Sequence, residues 1–257
     1  MSILNQQERK KDSFTYDKKM TISGNHIRYQ TFTRTILKGF SQGENQRKGI
    51  KRLEGEKQEN NLFRARMNLI DTINCNITKY SKFITLTTAE PCLDRNQFMQ
   101  WFNDYHTYFK RKFQTPLKYV AVTERQLERG SEENNQGSWH IHIIIFNDMY
   151  LPFDKLKPLW KYGSTDIKVI DSTENLGVYM AKYLTKQEIA LNKKSVLKSR
   201  GLKAPFVEYN ALPPSSANLE KTFEQTRQYV IDTTGEVIQS TITEYIIATS
   251  KSNVNIS

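Results

Sequence analysis

Only two cysteines, Cys75 and Cys92, occur in 257 residues. A disulfide framework and a thiolate zinc cage are both excluded, and a reducing, cytoplasmic setting is the expectation. No apolar run approaches the roughly 18 residues that span a bilayer, and the opening MSILNQQERKKDSF lacks the apolar core of a secretory signal, so no membrane partner is expected. Neither H-E-x-x-H nor G-x-x-x-x-G-K-[ST] occurs, which sets aside zinc proteases and P-loop ATPases. Acid is also short, with 27 Asp plus Glu against 38 Lys plus Arg and a net charge of +11. That excess is +8 over residues 1–79, +6 over 80–205 and −3 over 206–257, so attraction to a polyanion belongs to the first three quarters of the chain.

What is present reads as one substantial α+β core with extensions. The first 20 residues form a polar, mobile tail, and residues 20–34 read as two short extended pieces about a Ser-Gly-Asn turn that carries His26. From about 44 to 73 the pattern is helical and basic, with Leu62, Arg66, Leu69, Ile70 and Ile73 at helix spacing, and Arg64 and Arg66 are candidate DNA contacts. KFITLTT (82–88) is a strand. Residues 94–113 begin with an Asp cap and place Phe98, Trp101, Phe102, Tyr105, Phe109 and Phe113 at spacings of three and four, an amphipathic helix packed on a sheet with His106 among its aromatics. LKYVAVTE (117–124) is a strand that a polar loop returns into the next. A turn with Leu156 and Trp160, a short strand at 166–170 and a helix starting near Glu174 follow. SRGLKAP (199–205) breaks structure, and residues 220–248 read as a hairpin about Thr233-Thr234-Gly235. The expected fold is a central antiparallel sheet backed by helices, with a basic N-terminal extension (1–79, partly helical), a core (80–205) and a C-terminal tail with a β-hairpin (206–257).

GSWHIHIIIF (137–146) uses two of the chain's four histidines inside a run otherwise as apolar as a buried strand. Alternation sets His140, His142 and Ile144 on one face and Ile141, Ile143 and Ile145 on the other. Neutral imidazoles are costly to bury without partners, so the pair has to meet a polar network, a metal or water. On strand 117–124, Val120, Val122 and Glu124 share a face. Glu124 beside both imidazoles makes a set of mixed N and O donors that suits Mg²⁺ or Mn²⁺ and also accepts Zn²⁺, Co²⁺ or Ni²⁺, with Gln126 a weaker third ligand. H-x-H by itself more often marks a structural pair.

Downstream, VYMAKYLTK (178–186) reads as a helix. At about 100° per residue Tyr179, Lys182, Tyr183 and Lys186 share one arc, while Met180, Ala181 and Leu184 supply a buried stripe. Phenols and cations on one face suit an anionic partner. An ordinary amphipathic helix with tyrosines at its boundary gives the same pattern.

KFITLT, a Glu-ended strand, HIHIII and YMAKYLTK, in this order, resemble the three motifs of HUH endonucleases, specifically rolling-circle replication initiators. The Y-x-x-K-Y-x-x-K form resembles the replication proteins of small single-stranded DNA phages and related bacterial plasmids. The resemblance covers about 80–205, with looser similarity in the preceding basic helix and in SRGLKAP. It implies an RRM-like, ferredoxin-like nuclease core, His140 and His142 as metal ligands with Glu124 as the third, Mg²⁺ or Mn²⁺ as cofactor, Tyr179 and Tyr183 as nucleophiles and Lys182 as a phosphate-side cation. Lys186, Arg64, Arg66 and Arg200 are the expected DNA contacts. Single-stranded origin DNA is the implied substrate, and a host helicase and DNA polymerase are the implied partners. A relaxase or a single-stranded DNA transposase would share this chemistry, and a non-catalytic nucleic-acid-binding module would share the sheet.

Overall fold

The computed structural model describes residues 9–40, 54–131, 136–170, 176–184, 196–215, 218–231 and 236–247. The expected turn at Thr233-Thr234-Gly235, the helix start near Glu174 and Lys186 lie outside these residues. Chain contacts divide the protein into two units, one of residues 57–204 and one that joins 1–56 to 205–257. Both carry an antiparallel sheet, and the α+β class read from the sequence is the class observed.

In the 57–204 unit, β3 (Lys82–Leu86), β4 (Tyr119–Ser131), β5 (Gln136–Ile145), β6 (Thr165–Val169) and β7 (Val196–Lys198) form one sheet in the order β6-β3-β5-β4-β7. Every neighbouring pair is antiparallel. Helices cover both faces. On one, α2 (Arg95–Phe113) buries Phe98, Phe102, Tyr105 and Phe109 against Ile84, Leu86, Ile141, Ile143 and Ile145. Burial of each such side chain is worth about 1.5–3 kcal/mol. Asp94 caps α2 by accepting from the Asn96 amide at 2.8 Å, and Lys110, Arg111 and Lys112 occupy the last turn, where cations oppose the helix dipole. On the other face, α1 (Glu54–Asn76) and α4 (Leu176–Ala181) pack Leu62, Leu69, Ile73, Leu176 and Met180 over Phe83, Val120, Val122 and Ile144. A short α3 (Phe153–Leu156) and a 3-10 turn (Lys157–Leu159) lead into β6.

The other unit departs from the expectation of a mobile start. β1 (Arg9–Ser23) and β2 (His26–Phe40) make a long hairpin, and β2 pairs with β10 (Glu236–Ile247), which pairs with β9 (Leu219–Ile231). With β8 (Phe206–Tyr209) on β1, the order is β8-β1-β2-β10-β9. The cause is long-range pairing: each polar, β-branched segment gains its partner from the far end of the chain. Among the described residues no helix is long and apolar enough to cross a membrane.

His106 shows what the α2 face costs. Its ring packs against Phe102 at 4.3 Å and Tyr119 at 4.7 Å between centroids, and its buried Nε2 has no hydrogen-bond partner among the described residues. Burial lowers its pKa from 6.5 to about 4. Between those values the unfolded chain takes up a proton that the folded chain refuses. Stability is therefore expected to fall as pH drops from about 6.5 to 4, by about 3 kcal/mol in all. Urea unfolding at several pH values should show that slope in the parent chain and lose it in His106→Leu.

Candidate metal and tyrosine site

β4 and β5 bring the carboxylate and the imidazoles together through register. Glu124 lies directly opposite His140, and Val122 opposite His142, so all three polar side chains leave the same face. The other face carries Ile141, Ile143 and Ile145 into the core under α2, which fixes the register against a one-residue slip. Both histidines are buried.

Three donor atoms meet at one point. His140 Nε2 and His142 Nε2 lie 2.9 and 3.1 Å from the same Glu124 oxygen, and 3.1 Å from each other. Ligand atoms about 2.1 Å from one divalent ion, at right angles, would be roughly 3 Å apart, so the residues present fit a metal. Protons alone satisfy the cluster poorly, because two imidazole nitrogens face one another and share one acceptor. Glu124, His140 and His142 form the group of metal-ligating side chains found among the described residues. Thr85 Oγ1, cross-strand from His142, lies 3.1 Å from its Nδ1 and orients the ring. Burial pushes Glu124 up, but the hydrogen bonds and charges of His140 and His142 outweigh it and hold the carboxyl at about 2. Burial foremost lowers His142, so at neutral pH it is an uncharged donor.

The tyrosines stand over this cluster. The Tyr183 ring stacks on the His142 ring at 3.6 Å, and its hydroxyl donates to the Tyr179 oxygen at 2.8 Å. Phe83 underlies all three, with centroids 5.7 Å from His142, 5.4 Å from Tyr179 and 6.4 Å from Tyr183. Burial, then the hydrogen bond to Tyr179, raises Tyr183 well above the ordinary phenol range. Lys182 is exposed, with its ammonium 5.6 Å from the centre of the Tyr179 ring.

The segment is shorter as a helix than its pattern suggested. α4 ends at Ala181, and Lys182, Tyr183 and Leu184 donate to the carbonyls three residues back. This tighter turn still leaves Met180, Ala181 and Leu184 buried. Gly177 permits the close approach of α4 to α1, since a Cβ there would meet Ile70 Cα and Cγ2 at 3.1 Å. Arg66 is the second clamp. It sits within the apolar stripe of α1 and donates to the Leu184 carbonyl at 2.8 Å, closing the orphaned end of the tyrosine turn. That guanidinium is therefore engaged inside the fold, whereas Arg64 on α1 and Arg200 in the turn after β7 are exposed.

Phe83, Thr85 and the Arg66–Leu184 bond were not singled out from sequence. For Phe83 and Thr85 the signal was present: both alternate onto the histidine face once β3 is paired with β5. Lys168, cross-strand from Phe83, adds a further exposed cation to this face, and its charge contributes to the lowering of His142.

No curated protein and no solved structure matches the chain. Residues 81–188 match the family model of the ORF2 type of replication-associated protein, a span that holds Glu124, both clustered histidines, Tyr179, Lys182 and Tyr183, and to that extent the core of this chain is similar to replication-associated proteins.

Proposed function

We propose that this protein initiates rolling-circle replication by nicking single-stranded origin DNA with a tyrosine and later rejoining the strand. One observation carries the reading: two tyrosine hydroxyls, 2.8 Å apart, stand over the imidazole of a His-His-Glu cluster. The match to replication-associated proteins supports the same class of task.

Glu124, His140 and His142 would hold the ion, Mg²⁺ or Mn²⁺. When bound, it would polarise the scissile phosphodiester and screen the charge that builds on it. The Tyr179 oxygen attacks phosphorus, the bond from phosphorus to the 3′ oxygen breaks, and that oxygen takes up a proton to leave as a 3′-hydroxyl. The 5′ phosphate stays esterified to the tyrosine. Tyr183 donates to the attacking oxygen and so stabilises negative charge there. Lys182 lies beside the ring and offers a cation to the phosphate. The ester conserves the bond energy, and Tyr183 supplies a second phenol for a second transfer while the first is occupied. Lys186, Arg64 and Arg200 would hold the strand, and a host polymerase and helicase would extend the 3′-hydroxyl and unwind the template.

The test is direct. The protein is incubated with a candidate single-stranded circular replicon and Mn²⁺, and the DNA is then sequenced from its new 5′ end. A unique end that carries protein resistant to boiling in detergent is expected. Random ends, or free 5′ phosphates, would reject tyrosine transfer.

A further inference from the structure

The sheet of the 1–56 and 205–257 unit carries a feature that the nicking chemistry does not use. On β1, β2 and β8, four aromatic side chains meet edge to face. Tyr209 lies 4.9 Å from Phe14 and 4.8 Å from Tyr16, and Tyr16 lies 5.7 Å from Phe32, between ring centroids. All four keep part of their surface accessible. Lys38 closes the group: its ammonium sits 4.1 Å over the Tyr209 ring and 5.4 Å over Phe14, and donates to the Tyr209 hydroxyl at 2.6 Å. Lys19 is the cross-strand partner of Tyr209.

Backbone irregularity builds this group. The register of β1 and β2 jumps from Tyr16 opposite Ile36 to Lys18 opposite Thr31, so four residues of β2 face Asp17 alone. Without that bulge, regular alternation would continue the pairing straight along the hairpin. With it, Phe32 turns to Tyr16. Glu208, next to Tyr209 in β8, pairs with Met20 and points to the opposite face, which leaves the aromatic side cationic. An aromatic cluster that served packing alone would be sealed by an aliphatic side chain. Here the seal is an exposed ammonium, which a phosphate can approach with little desolvation.

We propose that Phe14, Tyr16, Phe32 and Tyr209, with Lys38, form a second nucleic-acid surface that grips single-stranded DNA by stacking its bases and pairing a phosphate. Accessible ring surface takes an unpaired base without reading its sequence, and the ammonium sits where a backbone phosphate would follow. Duplex DNA, whose bases are stacked on each other, cannot use the rings. The inference rests on the nuclease reading only in naming DNA as the strand, and the two can fail separately.

The experiment uses the full chain and a fluorescein-labelled 30-nucleotide oligodeoxythymidine, followed by anisotropy at several salt concentrations. Lys38→Met and Phe32→Leu are each expected to weaken binding roughly tenfold, with the salt slope of Lys38→Met smaller by about one. Binding of a labelled duplex should change by less than about threefold. Parent-like affinity for the single strand in both variants would overturn the proposal, as would an equal loss for duplex. Lys38 is exposed, so its variant remains informative if Phe32→Leu fails to fold by circular dichroism. Adduct formation by the unaltered chain on the origin circle reads the nuclease proposal independently.

Discussion

The double substitution Tyr179→Phe with Tyr183→Phe is expected to abolish the covalent protein–DNA adduct, lowering origin nicking by more than about 10⁴-fold while the fold is retained. Phenylalanine keeps both ring stacks, including that of residue 183 on His142, and removes only the hydroxyls. The single variants should not be equivalent. Tyr183 is the donor in the bond between the hydroxyls, and burial holds it protonated. Tyr183→Phe therefore removes a stabilising donor and should slow nicking by roughly 10–100-fold. Tyr179→Phe removes the acceptor that is placed to attack, and should slow it by at least about 100-fold, leaving turnover through Tyr183. Both should impair strand rejoining more than nicking, since rejoining needs two transfers. Peptide mapping of the trapped adduct decides the matter: attachment at any residue other than these two would reject the mechanism.

The second large effect is expected at the metal cluster. His140→Ala with His142→Ala should eliminate cleavage that depends on Mn²⁺ and weaken Mn²⁺ binding by calorimetry by more than about 100-fold. Thr85→Val tests the orienting contact on His142 Nδ1 and should cost about tenfold in metal affinity without loss of the ligands. Glu124→Gln keeps the shape of the third ligand and removes its charge. Mn²⁺-dependent cutting that survived the double histidine substitution would place the ion elsewhere.

Much of this site was legible because its determinants are local. Alternation alone puts His140 and His142 on one face, and the loop between two strands makes antiparallel pairing, and hence the nearness of Glu124, the natural outcome. Helical spacing likewise placed Tyr179 and Tyr183 on one arc, although the last turn is tighter than α. The clamp by Arg66 was not legible. An arginine in a basic helix reads as a DNA contact, and its bond to Leu184 crosses 118 positions of chain. The sheet that joins both ends of the chain was hidden for the same reason. The hairpins at 20–34 and 220–248 each carry local signals, but nothing local says that Thr31 pairs with Thr241. The bulge opposite Asp17 is equally silent, because it depends on which residues the two strands choose to pair.

That pairing of β2 with β10 also orders events during synthesis. The hairpin of β1 and β2 leaves the ribosome first, and residues 57–204 can fold as soon as they emerge. The partner strand for β2 is made about 200 residues later, which at roughly 5–20 residues per second is about 10–40 s. Throughout that interval a 15-residue strand presents an open edge, the kind of template that recruits strands from other chains. Nascent molecules crowded on one message would then pair with one another before they pair with themselves, so slower initiation of translation, more than lower temperature, should govern how much of this protein is recovered folded.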